Sequence, residues 1–219
     1  MAPAPASAAP PANDDYQQAQ ALPLDSILGG TTVEATTQDG LPEPLTPASG
    51  LTCPGAPPTQ LTHSVWYLVT PPTGSGDPPG PTMSVNTIGS TANTVIAVYN
   101  TNGTDNGPPD ASDPGANVFG CDDDAAAFTT ASRVEWTAQP GFSYLVQVGI
   151  RSGTTPGDIQ TVAAEVPAND DRAGAVAVTD GSPETGDTFG ASEEDDEDLV
   201  CTSPIARPLA STVWFAFEA

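Results

Sequence analysis

Two short acidic runs carry the oxygen atoms in this chain best suited to chemistry: Asn13-Asp14-Asp15 near the start and Asp122-Asp123-Asp124 past the middle. Carboxylates mixed with amide and backbone carbonyls in a loop are what Ca2+ takes as ligands, so these six residues are the candidate cation ligands. Neither run has the spacing of an EF-hand loop or a calcium-binding nonapeptide. The competing reading is a helix cap at Asn13 or Asp14 and a solvated turn at 122–124. A third run, Ser192-Glu-Glu-Asp-Asp-Glu-Asp198, repels itself and reads as a solvated loop.

Catalysis finds little to work with. His63 is the sole histidine, and no Gly-x-Ser-x-Gly or comparable nucleophile setting occurs. Aspartates are plentiful, but nothing marks out one pair for acid/base work on a glycosidic bond. The expectation is a protein that is not an enzyme, with no required cofactor and Ca2+ as the one candidate ion. His63 is expected to be structural.

The charge balance narrows the partners. Four arginines and no lysine stand against 28 acidic residues, for a formal charge of −24. Nucleic-acid binding needs a basic face to displace phosphate counterions, and anionic membranes also attract basic segments, so both are argued against. The acidity serves solubility, supplies cation ligands or reflects a salty habitat. No window has the apolar length of a transmembrane helix, so no membrane insertion is expected. Residues 1–10 have neither a basic start nor an apolar h-region, and read as an extended Ala/Pro arm rather than a signal peptide.

The elements that must position these residues are strands. With 21 glycines and 25 prolines, many short strands and turns are favoured over long helices. The run His63-Ser64-Val65-Trp66-Tyr67-Leu68-Val69-Thr70 reads as a strand with little water on either face, placed at 64–70. Further strands are expected at 31–36 (an edge), 83–88, 94–99, 132–137, 143–150 and 159–166. Val118-Phe119 leads into the acidic run, and a short helix follows Asn13, with Tyr16, Ala19 and Leu22 on one side. About eight short strands at these spacings indicate an all-β fold, an antiparallel β-sandwich. Trp66, Tyr67, Tyr99, Trp136, Tyr144 and Trp214 are its expected core aromatics.

The chain also repeats itself. Pro11-Ala-Asn-Asp-Asp15 recurs as Pro167-Ala-Asn-Asp-Asp171, and Gly30-Thr-Thr-Val-Glu-Ala-Thr36 faces Gly186-Asp-Thr-Phe-Gly-Ala-Ser192, both at an offset of 156. Ser64-Val65-Trp66-Tyr67 returns as Thr212-Val213-Trp214-Phe215 at an offset of 148, and Cys53 returns as Cys201. Such a period means a repeated domain rather than a solenoid unit. The expected organisation is the arm 1–10, a sandwich 11–166 and an incomplete second repeat 167–219.

The order Asn-Asp-Asp, Ser-x-Trp-Tyr/Phe, Asn93-Thr94-Val-Ile-Ala-Val-Tyr99, Asp122–Asp124, Ser132-x-Val134-x-Trp136 and Gly141-Phe-Ser-Tyr144-Leu-Val-Gln-Val148 resembles the bacterial pre-peptidase C-terminal (PPC-like) β-sandwich domain. The likeness spans nearly all of 11–166 and the first third of a second copy, and it implies a sandwich of the jelly-roll/PPC-like type. Asn93 departs from the Phe-Asp common before that strand in the family, and paired cysteines are not a general family feature. Similar tandem repeats occur in minor tail proteins of phages infecting actinobacteria. The resemblance therefore implies a non-enzymatic tail-tip protein in the virion, contacting other tail proteins or like subunits, with a host cell-surface polymer as target. The alternatives are an accessory polymer-binding module of a secreted bacterial protein and a subunit of an extracellular surface filament.

Cys53 precedes the central strand and Cys121 follows the 94–99 strand, so a Cys53–Cys121 disulfide would close a loop of nearly seventy residues. Cys201, the counterpart of Cys53, would then find its partner beyond residue 219. Three reduced, buried cysteines are the alternative. Asn102-Gly-Thr104 matches a glycosylation sequon and is read as chance in a bacterial or phage protein.

Overall fold

The longest apolar runs become the middle of one sheet. Leu61–Val69 (β3), Tyr144–Arg151 (β8) and Thr94–Asn100 (β5) lie side by side and antiparallel, with Trp66 opposite Gln147 and Ala97 opposite the same glutamine from the other side. Val118–Asp122 (β6) closes one edge antiparallel, and Gln20–Ala21 (β1) adds to the other edge parallel to β3. The second sheet is Leu28–Thr31 (β2), Asp158–Glu165 (β9), Thr82–Asn86 (β4) and Arg133–Thr137 (β7), antiparallel throughout. Val176–Val178 (β10) and Phe215–Phe217 (β11) pair parallel as a separate ribbon. This computed structural model describes residues 8–36, 61–72, 80–101, 118–125, 130–139, 141–192 and 211–217. The protein is all-β, and its two larger sheets form a sandwich.

One core lies between those sheets. Val65, Tyr67 and Val69 of β3, Val146 and Val148 of β8, and Ile96 and Val98 of β5 face Met83 and Val85 of β4, Trp136 of β7 and Ile159 of β9. The alternate residues Trp66, Ala97, Tyr99 and Leu145 form a second cluster on the outer face of the five-stranded sheet. Tyr16 covers it, its ring edge-on to Trp66 at 6.1 Å, while Trp66 and Tyr99 lie 5.7 Å apart. Burial on both faces explains why β3, β5 and β8 are mostly apolar without strict alternation, since a strand wetted on one side would alternate. Gln147, buried in β8, accepts a hydrogen bond from the Tyr99 hydroxyl at 3.0 Å.

Several local expectations change. No multi-turn helix follows Asn13: a single 3-10 turn, Tyr16–Gln18, gives way to β1, and Leu22 N donates to Leu68 O at 2.9 Å. One turn is too short to hold itself, and bonds to β3 replace the missing helical ones. The edge strand lies at Leu28–Thr31, earlier than 31–36; residues 32–35 form a turn, with Ala35 N donating to Thr32 O and Glu34 at φ +61°. β3 starts at Leu61, and His63, at φ +51°, sits in an irregularity between Thr62 and Val65. Gly149 faces this irregularity, where an added Cβ would meet Leu61 Cδ2 at 2.5 Å. The pairing at β1 and in the β10–β11 ribbon is parallel, so the sheets are mixed at their margins. No helix among the described residues is long and apolar enough to cross a membrane.

Candidate functional site

The Asn-Asp-Asp run is a fastening device. Asn13 and Trp66 exchange two hydrogen bonds, Trp66 N to Asn13 O at 2.8 Å and Asn13 Nδ2 to Trp66 O at 3.0 Å. Both oxygens of Asp14 are taken by Thr36, whose backbone N–H and hydroxyl donate at 2.7 and 2.6 Å. The Asp15 carbonyl accepts from Gln18 N at 2.8 Å and starts the 3-10 turn. Three consecutive residues thus tie the entering chain to β3, to the turn after β2 and to itself. An amide is required at 13 because it must donate to a carbonyl. A carboxylate suits 14 because it must accept twice.

The same bonds recur 156 residues later. Trp214 N donates to Asn169 O at 2.8 Å, and Asn169 Nδ2 to Trp214 O at 3.0 Å. Ser192 N and Oγ donate to Asp170 at 2.6 and 2.9 Å, and Gly174 N donates to Asp171 O at 2.8 Å. The strand registers match as well, Gln20 opposite Tyr67 in one place and Val176 opposite Phe215 in the other. Where Tyr16 meets Trp66, the Arg172 guanidinium lies over Trp214, 4.7 Å from the ring centre. A Cβ on Gly30 would lie 2.7 Å from the Tyr67 hydroxyl, and one on Gly186 would lie 3.3 Å from Phe215 Cζ. Glycine at 30 leaves room for the Tyr67 hydroxyl, whereas at 186 an added Cβ would only press on the Phe215 ring.

The second acidic run sits elsewhere. Asp122 ends β6 opposite Ile96, with β5 and β8 between it and β3, about 14 Å at ordinary strand spacing. The structure therefore does not unite the two candidate cation clusters. Asp122 Oδ2 accepts from Arg133 N at 2.7 Å, and burial pushes its carboxyl up to about 6, the backbone bond pulling back and Asp123 and Asp124 adding to the rise. Arg151 Nη1 lies 3.4 Å from Asp123 Oδ2 and 3.9 Å from Asp124 Oδ2, so a protein cation already faces these carboxylates. Asp123 is fully buried, which makes that pairing necessary. Among the described residues no group of three or more His, Cys, Asp or Glu side chains is arranged to hold a metal ion.

The remaining candidates are placed as follows. Trp66, Tyr67, Tyr99, Trp136 and Tyr144 are buried, whereas Trp214 is half-buried. Burial raises the Tyr67 hydroxyl above its ordinary pKa, with Thr161 and Asn13 pulling back. Cys121 is disulfide-bonded. Cys53 and Cys201, its two candidate partners, lie outside the described residues, as do the run 193–198 and the sequon at 102–104.

Sequence reasoning missed the junction between the two fastened segments. Arg133 in β7, 11% exposed at its side chain, donates from Nη1 to Ala191 O at 2.8 Å and from Nη2 to Gly190 O at 2.6 Å. Its Nε and Nη2 also hold Glu135 Oε1 at 2.9 and 2.6 Å. Ser84 Oγ donates to Gly190 O at 3.4 Å, and Gly190 lies so close to the Glu165 carbonyl that a side chain there would collide with it. The available signal was scarcity: a cation retained in so acidic a chain is expected to have a fixed partner. Comparison with known proteins adds no relative, since no family model, no curated protein and no solved structure matches the chain.

Proposed function

We propose that this chain is a non-enzymatic structural and adhesive protein, a minor tail protein at the tip of a phage tail, with its β-sandwich modules in tandem. The observation that carries the modular reading is the fastening built twice with the same atoms. Asn13 with Trp66 and Asp14 with Thr36 correspond to Asn169 with Trp214 and Asp170 with Ser192. Repetition of a structural device, with the conspicuous carboxylates used as fasteners, supports a scaffold more than a reaction centre. The phage setting rests on the PPC-like resemblance of the ordered motifs and on the acidity, which suits a solvent-exposed virion surface. Its partners in this reading are neighbouring tail proteins or like subunits and a polymer on the host surface.

Immunogold electron microscopy with antibody raised against residues 11–166 tests the assignment. Label at a phage tail tip is expected. Label confined to bacterial walls or culture supernatant would replace it with the second reading, an accessory module of a secreted bacterial protein or a surface filament. The disulfide at Cys121 favours that second reading, because such bonds persist in oxidising surroundings.

A further inference from the structure

We propose that the groove between the two fastened segments is a saccharide subsite, binding one hexose unit of an uncharged surface polysaccharide; this deepens the adhesive reading above. The groove is open to solvent and offers about 380 Å3, which lies within the range of small-molecule sites, and such sites favour domain junctions. Asn86 at the end of β4 and Ile88 beyond it form one side with Ile27 from the β1–β2 connection. Asp187, Thr188 and Phe189 form the other.

Three of these side chains are large, apolar and exposed: Ile27 at 61%, Ile88 at 37% and Phe189 at 40%. For Phe189 the exposure belongs to the position. Val33 stands at the same place in the first segment, in the turn after β2, and is likewise 44% exposed. An aromatic at 189 in place of valine turns that position into a flat platform.

The walls are held before any ligand arrives. Arg133, the register partner of Asn86, grips Gly190 O and Ala191 O, the two residues after Phe189. Asp187 Oδ1 accepts from Phe189 N at 3.2 Å, and Asn86 Oδ1 accepts from Ile88 N at 3.1 Å. The Asn86 amide N–H groups, Asp187 Oδ2 and the Thr188 hydroxyl make no hydrogen bond among the described residues.

A sugar ring matches this set. Its C–H face covers Phe189 and the isoleucines, and its hydroxyls both donate to Asp187 and accept from Asn86. Among the described residues no basic side chain lines the groove, and Asp187 together with the net charge of −24 opposes an anionic ligand. A purely apolar occupant would leave Asn86 and Asp187 covered without partners, at a cost in free energy.

The test is NMR titration of the isotope-labelled full chain with short neutral oligosaccharides of glucose, galactose, mannose and N-acetylglucosamine, each to about 10 mM. At least one should shift amides of residues 86–88 and 186–189. Phe189→Ala should weaken that binding roughly three- to tenfold with the remaining spectrum unchanged. Asp187→Asn, at an exposed turn, serves as the second variant and should weaken it too. The proposal is overturned if no oligosaccharide moves these amides, if shifts map elsewhere, if both variants bind like the parent, or if an apolar peptide or sugar phosphate binds there instead. Cell pull-down separates the two claims. Host cells that bind parent and Phe189→Ala equally would sink the subsite and leave adhesion standing, whereas cells that bind neither would sink the adhesive reading.

Discussion

Replacing Asn13 by alanine removes one fastener and leaves the fold otherwise untouched. The substitution removes the bond from Asn13 Nδ2 to Trp66 O at 3.0 Å and the side-chain interaction with the Tyr67 hydroxyl, in a site where Asn13 is buried. A net hydrogen bond is worth about 1 kcal/mol, and leaving the Trp66 carbonyl short of a donor raises the expected loss to about 2 kcal/mol. For a chain of this length that lowers Tm by about 4–8 °C. The direction of a second substitution is sharper than its size. Asn13→Asp preserves shape but sets a carboxylate against the Trp66 carbonyl, so it should be less stable than Asn13→Ala. Asp14→Ala removes two bonds from an exposed carboxylate, about 1 kcal/mol after allowing for water. Because both residues tether the same segment, the double variant should fall short of additivity by at least about 0.5 kcal/mol. Urea unfolding followed by tryptophan fluorescence reads all four proteins, with amide exchange at Trp66 and Thr36 as the local probe. A shift under about 0.5 kcal/mol for Asn13→Ala, the scatter of ordinary surface changes, or an Asn13→Asp as stable as the parent, would refute the fastening argument.

Gly30→Ala should cost about 2 kcal/mol by collision with the Tyr67 hydroxyl, and adding Tyr67→Phe, the ring present at Phe215, should restore part of it in the same urea assay, the rest being the hydroxyl's lost interactions with Thr161 and Asn13. Asp122 titrates near 6 in the fold against 3.8 unfolded, so the folded state holds its proton longer and stability from this group falls as pH rises from about 4 to 6. Asp122→Asn should therefore match the parent near pH 4 and exceed it by up to about 3 kcal/mol at pH 7; an equal difference at both pH values would count against the assignment. Cys53→Ser should free one thiol at Cys121 by thiol titration and cost about 4 kcal/mol if these two close the loop of nearly seventy residues, while an unchanged Cys121 would point to Cys201. Arg133→Ala should release the segment around Gly190 and Ala191, seen as faster proteolysis between 165 and 192 with the first sandwich intact.

Strands buried on both faces were legible because their composition is one-sided: β3, β5 and β8 are mostly apolar, aromatic and β-branched, and were found within a few residues of their ends. β2 was not. Leu28-Gly29-Gly30-Thr31 shows no alternation, and the reason for Gly30 is a tyrosine hydroxyl from another strand, which no local window contains. The helix after Asn13 was misread for a related reason. Its capping residues spend their side chains on Trp66 and Thr36, 53 and 22 residues away, so good cap chemistry served tertiary contacts instead. The acidic runs were legible as chemistry but not as partners, since Asp122 answers to Arg133 N and Asp123 to Arg151.

The arginines connect these strands of argument. Among the described residues Arg133 holds Glu135 and two carbonyls across the junction, Arg151 faces Asp123 and Asp124, and Arg172 covers Trp214. Each of these three has a structural commitment, and the chain has no lysine. So acidic a chain offers little to attract a polyanion by releasing counterions, which is why the partner proposed above carries no negative charge. That partner is accordingly uncharged, engaged through shape, hydroxyl bonding and exposed rings. The groove at Phe189 offers these three together, beside the arginine that fixes the two segments to each other.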